Sequence, residues 1–310
     1  MQKKILLAVD DSSPSKRLLQ YAVTMSSVIT NLHVVLFHIQ PLISLFLQEE
    51  AKKKAGAKKD LDRIIEKNKA AARALLDDYK AILTDRGISA ERIECITRTR
   101  NLGYAKDIIE CAQTKLYDAI LVGRRGVSGI QKMYSGSVTS DILEQSQVIP
   151  VWLVDGDVPQ GDILIAFDGS EAGLRAVDHA GFILGNNPGI NLTLLHVSTN
   201  AENYCEIDLE KEPNAALEAI VARGDKTLMD RFCPKALNAL KDAGIPEHRI
   251  RIETLTGKRR VGKAIMEFAQ KGHFSTLVIG RRGVNKSFFM GSASRYIINK
   301  LSDRALWVVP

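Results

Sequence analysis

The feature that most constrains this chain is a glycine-rich segment that occurs twice. Its first occurrence, Asp118–Thr139, reads DAILVGRRGVSGIQKMYSGSVT. The apolar run at its start predicts a short buried strand, and the apolar periodicity from Val138 onwards predicts a helix. The glycines between them let backbone N–H groups approach an anion closely. A strand, a glycine loop and a helix N-terminus in this order are typical of a phosphate-binding site.

The second occurrence, Ser275–Ser294, repeats this order near the end of the sequence as STLVIGRRGVNKSFFMGSAS. Seven residues separate Gly283 from Gly291, whereas nine separate Gly126 from Gly136, so the second loop is two residues shorter. One glycine pattern is weak support for a site. Two occurrences in equivalent places predict a duplicated site.

The glycine segments belong to a longer duplication. Matching elements recur at an offset of 155 to 158 residues, for example Asp168 for Asp10 and Trp307 for Trp152. Strands and helices alternate in each copy, which predicts parallel sheets with right-handed crossovers. We therefore predict an α/β chain of two tandem Rossmann-like domains, residues 1–155 and 162–310, each a five-stranded parallel sheet flanked by helices. The linker covers Asp155–Gly161.

Three local interpretations accompany this fold. The apolar patch Leu42–Leu47 is interpreted as a loop, and helical periodicity is recognised only from Asp60. Pro234 should break or kink the long helix of the second copy. Trp152 and Trp307 are interpreted as packing residues in terminal strands, which should lie at sheet edges and invite pairing with another strand.

The composition is that of an ordinary globular protein. Of the 310 residues, 45% are apolar and 25% are charged. No apolar run approaches the ~20 residues of a transmembrane helix, and the N-terminus lacks a signal-peptide core. The four cysteines show no metal-ligand spacing and are interpreted as reduced thiols. We therefore expect a cytoplasmic protein.

The net charge of +7 is concentrated in one segment. Ala51–Ala70 holds seven lysines and one arginine against three acids. A solvated helix face accounts for such a segment. The alternative is a docking patch for an acidic partner, a membrane surface or nucleic acid. We favour the solvated face, and expect no nucleic acid partner, because no aromatic side chains interleave with the lysines.

The ends of the strands supply the candidate binding residues. The chain has no Walker motif and no dinucleotide fingerprint after its first strand. Ligands of open parallel sheets bind beyond the carboxyl ends of the strands. There, Asp10 is placed to accept a hydrogen bond from adenine or ribose, and Ile39 to pack on a base. The loop Gly123–Thr139 is placed to hold phosphates.

Several of these residues have a structural alternative. Asp10 can instead cap the following helix, although a serine nearby already suits that role. Arg124 and Arg125 can contact phosphate or be solvated, and the sequence favours neither. His38 and His196 end equivalent strands, but nothing at catalytic spacing surrounds them, so they are interpreted as structural histidines.

The pattern G-x2-G-x9-G-[ST] after a strand, with an aspartate ending the first strand, resembles the universal stress protein family over essentially the whole chain. The first copy is similar to the ATP-binding branch of that family at Asp10, Gly123, Gly126, Gly136, Ser137 and Thr139. The resemblance implies an adenine nucleotide alpha hydrolase-like fold that binds ATP, with Mg²⁺ left open. It also implies pairing of the two domains through their last strands, as an intramolecular pseudo-dimer that leaves a further homodimer open.

The second copy departs from the family pattern. Its loop is shorter, and Ala293-Ser294 replaces Val138-Thr139. Weaker binding, or preference for a smaller nucleotide, is therefore expected there. The candidate nucleotide-binding residues are Asp10, Ile39, Gly123, Arg124, Gly126, Gly136, Ser137, Val138 and Thr139 in the first copy, and Asp168, Val197, Gly280, Gly283, Gly291 and Ser292 in the second.

Three functions compete: an ATP-binding regulatory protein of the stress response, a slow ATP hydrolase, and a scaffold without nucleotide. A hydrolase needs a positioned base and carboxylates that bind Mg²⁺ near the phosphate loop. Asp118 lies at the opposite end of its strand, so no residue is assigned a catalytic role. The intact first loop argues against the scaffold. The sequence therefore favours the ATP-binding regulatory protein.

Overall fold

The computed structural model describes residues 1–124, 138–187, 189–199, 215–281 and 290–310. The elements of the first half are β1 (Lys3–Ala8), α1 (Ser13–Ser26), β2 (Leu32–Gln40), α2 (Leu45–Lys53), α3 (Ala55–Asp85), β3 (Ile93–Thr99), α4 (Tyr104–Thr114), β4 (Ala119–Gly123), α5 (Val138–Gln145) and β5 (Val151–Asp155). Those of the second half are β6 (Asp162–Ala166), α6 (Glu171–Leu184), β7 (Leu192–Thr199), α7 (Ala215–Asp242), β8 (Ile250–Lys258), α8 (Val261–Lys271), β9 (Phe274–Gly280), α9 (Ser292–Lys300) and β10 (Arg304–Val309).

Over the described ranges, ten strands form one sheet in the order β3-β2-β1-β4-β5-β10-β9-β6-β7-β8. Neighbouring strands within each half run parallel, whereas β5 and β10 run antiparallel with Trp152 opposite Trp307. The prediction of two tandem α/β units is therefore confirmed. The order of connection reverses beside β1 in the first half and beside β6 in the second, which creates the switch point at which such sheets bind ligands.

Both faces of the sheet are covered by helices. Successive residues of a strand point to opposite faces, so each strand contributes to both cores. On β1, Ile5 and Leu7 belong to a core that also contains residues of α1, α3, α6 and α7. Leu6 belongs to the opposite core, together with residues of α4, α5, α8 and α9. Burial on both sides explains why the strands are continuous apolar runs rather than alternating patterns. Within the described ranges, no helix combines the length and the apolar character needed to cross a bilayer.

One local prediction was wrong, and so was one of the two alternatives of a second. Leu42–Leu47 is not wholly a loop, because α2 begins at Leu45, where the Ser44 Oγ accepts a hydrogen bond from the Leu47 N–H at 3.3 Å. This helix buries none of its residues. Its large apolar residues, Leu45–Leu47, are consecutive rather than spaced at helical intervals, so the pattern by which a helix is recognised is absent. The break predicted at Pro234 does not occur, because α7 continues to Asp242, and a kink there stays a prediction. The helix is supported after the proline by residues packed in the core, among them Ala236 and Leu240.

Candidate functional site

The switch point of the first half lies between the carboxyl ends of β1 and β4. Asp10 follows β1, and Gly123 ends the neighbouring strand β4. A Cβ atom at Gly123 would lie 2.9 Å from the Pro14 Cβ and 3.3 Å from the Pro14 carbonyl oxygen. Gly123 is therefore needed for the first turn of α1 to pack against β4. Sequence reasoning assigned this glycine to phosphate and missed its contact with Pro14.

The Asp10 carboxylate is held at the mouth of this switch point by hydroxyl groups. Its Oδ1 accepts hydrogen bonds from the Ser15 Oγ at 2.7 Å and from the Ser12 Oγ. The Asp10 N–H donates to the Ser15 Oγ at 2.9 Å, and the Tyr79 hydroxyl donates to the Asp10 carbonyl at 2.9 Å. The residue itself is exposed. Sequence reasoning missed these partners, although the spacing of Ser12 and Ser15, one helical turn apart, was a usable signal.

A hydroxyl at the start of the following helix ties each glycine-ended strand to that helix. The Thr139 Oγ1 donates to the Gly123 carbonyl at 2.9 Å. In the second half, the Ser294 Oγ donates to the Gly280 carbonyl at 3.1 Å. Ser294 thus reproduces the Thr139 contact, although the sequence marked it as a departure. Val138, the first residue of α5, packs partly buried against the core.

Of the remaining candidate binding residues of the first half, one lies in the core and the others lie outside the described ranges. Ile39 lies near the end of β2 and is 7% exposed, within the core beside α4. The predictions for Gly126, Gly136 and Ser137 concern residues outside the described ranges, as does the one for Arg125.

The second half presents equivalent residues at the ends of β6 and β9. The Asp168 Oδ1 accepts a hydrogen bond from the Ser170 N–H at 3.0 Å. A Cβ atom at Gly280 would lie 2.8 Å from backbone atoms of Ala172, the same close approach to a helix start that Gly123 allows. Gly291 is the N-cap of α9, and Ser292 is its first residue. Val197 is buried in β7, and Gly283 lies outside the described ranges.

The buried His196 links the end of β6, at the switch point of the second half, to the helix α7. The His196 Nδ1 lies 3.0 Å from the Phe167 carbonyl oxygen, and its Nε2 lies 2.9 Å from an Asp225 carboxylate oxygen on α7. Leu228, also on α7, is 3.2 Å from where a Cβ of Gly169 would lie. The helix α7 therefore packs closely over the strand end. In the first half, the partly exposed His38 makes the equivalent contact with a strand carbonyl, that of Val9, at 2.9 Å.

The first arginine of each Gly-Arg-Arg-Gly motif contacts the opposite half of the chain. The Arg124 guanidinium donates to the Leu301 carbonyl at 2.9 Å and the Ile298 carbonyl at 3.2 Å, and pairs with Asp155 at 3.2 Å. Arg281 donates to the carbonyls of Glu144 and Ser146. Each arginine thus binds the C-terminal end of the helix that follows the other glycine loop, where positive charge is favourable.

The ion pair between Arg124 and Asp155 influences the pKa of Asp155. Burial raises the pKa of Asp155, although the Arg124 guanidinium acts in the opposite direction. The sequence left Arg124 undecided between a phosphate contact and solvent, and did not consider the other half of the chain. That alternative could not be recognised locally, because the contacted carbonyls lie more than 170 positions away in the sequence.

Comparison with known proteins agrees with the duplication. The profile of the universal stress protein family matches residues 1–155 and again residues 161–310. The solved structure of a universal stress protein from Archaeoglobus fulgidus is 22% identical, with 99% of this chain and 97% of that chain covered and a TM-score of 0.66. A protein of unknown function from Pseudomonas aeruginosa is 16% identical, with 99% and 92% covered and a TM-score of 0.56. At these identities the likeness concerns the fold. The search of curated proteins found no match.

Proposed function

The chain belongs to the universal stress protein family, and we propose that it is a nucleotide-binding regulatory protein of the stress response whose first half holds ATP. One arrangement supports this proposal above the others. The Thr139 hydroxyl bonds the Gly123 carbonyl at the end of β4, and Asp10 follows the neighbouring strand β1, where the order of strands reverses. In open parallel sheets this is where ligands bind.

In this proposal, ATP lies across the carboxyl ends of β1 and β4. The Asp10 carboxylate accepts a hydrogen bond from a ribose hydroxyl or the adenine amino group, and Ile39 borders the base. The loop and the N-terminus of α5 hold the phosphates through backbone N–H groups and the Ser137 hydroxyl. Gly126 and Gly136 allow that backbone to approach the phosphates closely. The contact with Pro14 already accounts for Gly123, so Gly123 adds less support than its place in the motif suggests.

We propose that the two halves differ in affinity. The second loop is two residues shorter, and α7 packs over the strand end through Asp225 and Leu228. Both features leave less room for a triphosphate beside Asp168. We therefore assign the tighter site to the first half, and weaker binding or a smaller nucleotide to the second.

We also propose that the halves act as an intramolecular pseudo-dimer in the cytoplasm. The antiparallel pairing of β5 with β10, and the arginines that cross between the halves, support the first part. Free thiols at Cys95, Cys111 and Cys233 suit a reducing compartment and support the second part.

Calorimetric titration of the ligand-free full-length protein with ATP tests the proposed function. We expect binding that Asp10→Ala abolishes and that Asp168→Ala, the matched variant of the second half, leaves largely intact. ATP at a hundred times its dissociation constant should stabilise the wild type by about 2.7 kcal/mol. Absence of ATP binding by the wild type would overturn the proposal, and phosphate released at a steady rate would favour the slow hydrolase.

A further inference from the structure

The segment from Leu45 to Ala71, here called the basic arm, extends beyond the core of the first half. It consists of α2 and the N-terminal part of α3. None of the residues of α2 is buried, and the buried residues of α3 begin only at Ala72. Burial of an apolar face is the main source of helix stability in proteins. A helical segment without buried residues is therefore a surface available to a partner.

Large apolar side chains are exposed together where the basic arm begins. Leu45 is 75% exposed, Phe46 69% and Leu47 40%, and Leu42 just before the arm is 48% exposed. Single exposed apolar residues are normal, whereas a contiguous group marks an interaction surface.

A run of positive charge follows the apolar group, after Glu49 and Glu50. Five exposed lysines and no acid lie between Ala51 and Lys59: Lys52, Lys53, Lys54, Lys58 and Lys59. Lys54 pairs with Glu50 at 3.0 Å. Among the described residues, the other four make no ion pair, so their charge is available to an anionic partner.

The second half shows that a helix of this kind does not need such charge. The buried residues of α7 begin only at Phe232, so its N-terminal part also extends beyond the core. Residues 215–231 nevertheless carry three basic and three acidic side chains, a balanced set, whereas the basic arm carries eight basic and five acidic side chains. The lysines of the basic arm are therefore a property of the first half rather than a requirement of the fold.

We propose that the basic arm docks on a membrane surface that contains anionic lipids. Leu45 and Phe46 enter the boundary between headgroups and acyl chains, and the lysines contact lipid phosphates, the pairing of signals that gives stable peripheral binding. Two copies of the arm would repel each other, which disfavours self-association through this surface. A single-stranded nucleic acid would need several stacking aromatic residues, and the arm carries only Phe46.

Flotation of the full-length protein with lipid vesicles tests the proposal without added nucleotide, so its outcome does not depend on ATP binding. We expect flotation with phosphatidylcholine vesicles that contain about 30% phosphatidylserine, weaker binding at high salt, and none with pure phosphatidylcholine. Leu45→Gln with Phe46→Gln should lower the partition coefficient at least about tenfold. Replacing Lys52, Lys53, Lys58 and Lys59 by Gln should lower it at least about 100-fold.

Matched variants elsewhere on the surface distinguish vesicle binding through the basic arm from non-specific binding by exposed apolar or basic residues. Ile220 of α7 is 57% exposed, and Ile220→Gln should leave the partition coefficient unchanged. A second control replaces four exposed lysines by Gln at Lys115, Lys258, Lys271 and Lys300. Failure to float with anionic vesicles, or equal losses in the controls, would overturn the proposal. Binding to polyglutamate or single-stranded RNA without any vesicle binding would also overturn it.

Discussion

Trp152 and Trp307 stack face to face across the joint between the two halves, with ring centroids 3.9 Å apart and ring planes 4° apart. Each indole donates a hydrogen bond to the half that it does not belong to. The Trp152 Nε1 donates to the His179 Nε2 at 3.0 Å, and the Trp307 Nε1 donates to the Tyr21 hydroxyl at 2.9 Å. Tyr21 and His179 occupy equivalent positions in α1 and α6, so the joint exchanges equivalent contacts.

Removing the Tyr21 hydroxyl should weaken this joint. In Tyr21→Phe the buried Trp307 indole N–H and the Thr276 hydroxyl both lose a partner. An unsatisfied buried donor costs about 1–3 kcal/mol, and we expect a loss of that size in the free energy of unfolding from urea titrations. Tyr104→Phe, at an exposed tyrosine, should change it by less than about 0.5 kcal/mol. Equal losses in the two variants would contradict the role of the joint.

His179 should make the protein sensitive to mild acid. Burial beside the two indoles lowers the pKa of His179 from 6.5 to about 3. Between these two pH values the imidazole is protonated in the unfolded chain and neutral in the folded chain. The stability is complete above about pH 6.5 and falls towards pH 3 by up to about 1.4 kcal/mol per pH unit, or about 2 kcal/mol between pH 7 and pH 5.

The acid sensitivity is tested by a variant that still accepts the hydrogen bond from the Trp152 indole but has no group that titrates near neutral pH. His179→Tyr places the residue of the equivalent position 21 beside Trp152, and should flatten the dependence of the unfolding free energy on pH between 5 and 7. His248→Tyr, at an exposed histidine, should leave the dependence as in the wild type. An unchanged slope in His179→Tyr would show that other groups carry the acid sensitivity.

Arg124 should stabilise the contact between the halves. In Arg124→Met, Asp155 loses its cation and the end of α9 loses the bonds to Ile298 and Leu301. We expect a cost of about 2–4 kcal/mol, less than for a fully buried pair because both side chains keep some contact with solvent. The double variant with Asp155→Asn should cost less than the sum of the single ones. Lys69→Met, which breaks an exposed pair with Glu66, should cost less than about 1 kcal/mol.

Gly123 offers a test that separates packing from binding. In Gly123→Ala the new methyl group meets Pro14 at 2.9 Å, so we expect a loss of about 1–3 kcal/mol in stability without any nucleotide. Gly224→Ala adds a methyl group with nothing within 4 Å in α7 and should stabilise by about 0.4–1 kcal/mol. If Gly123→Ala is as stable as the wild type and only ATP binding falls, the glycine serves the phosphates rather than the packing.

Features with a short sequence range were predictable from the chain alone. The alternation of strands and helices and the repeat of Asp10 in Asp168 gave the tandem α/β fold, because periodicity and turn chemistry act within a few residues. The same reasoning placed Asp10 and Gly123 at neighbouring strand ends, since the carboxyl ends of parallel strands lie at one edge of a sheet. It missed α2, whose residues make no buried stripe.

The amino-acid sequence by itself determined that this chain is a duplicated α/β protein with a glycine-rich segment in each copy. The tertiary structure alone decided which half each side chain contacts: Arg124 reaches α9, Arg281 reaches α5, and Trp152 and Trp307 donate to opposite halves. The physical reason is range. Contacts between side chains of different halves are set by the register of β5 on β10, and local sequence pattern carries no information about a register that forms only when both halves are folded.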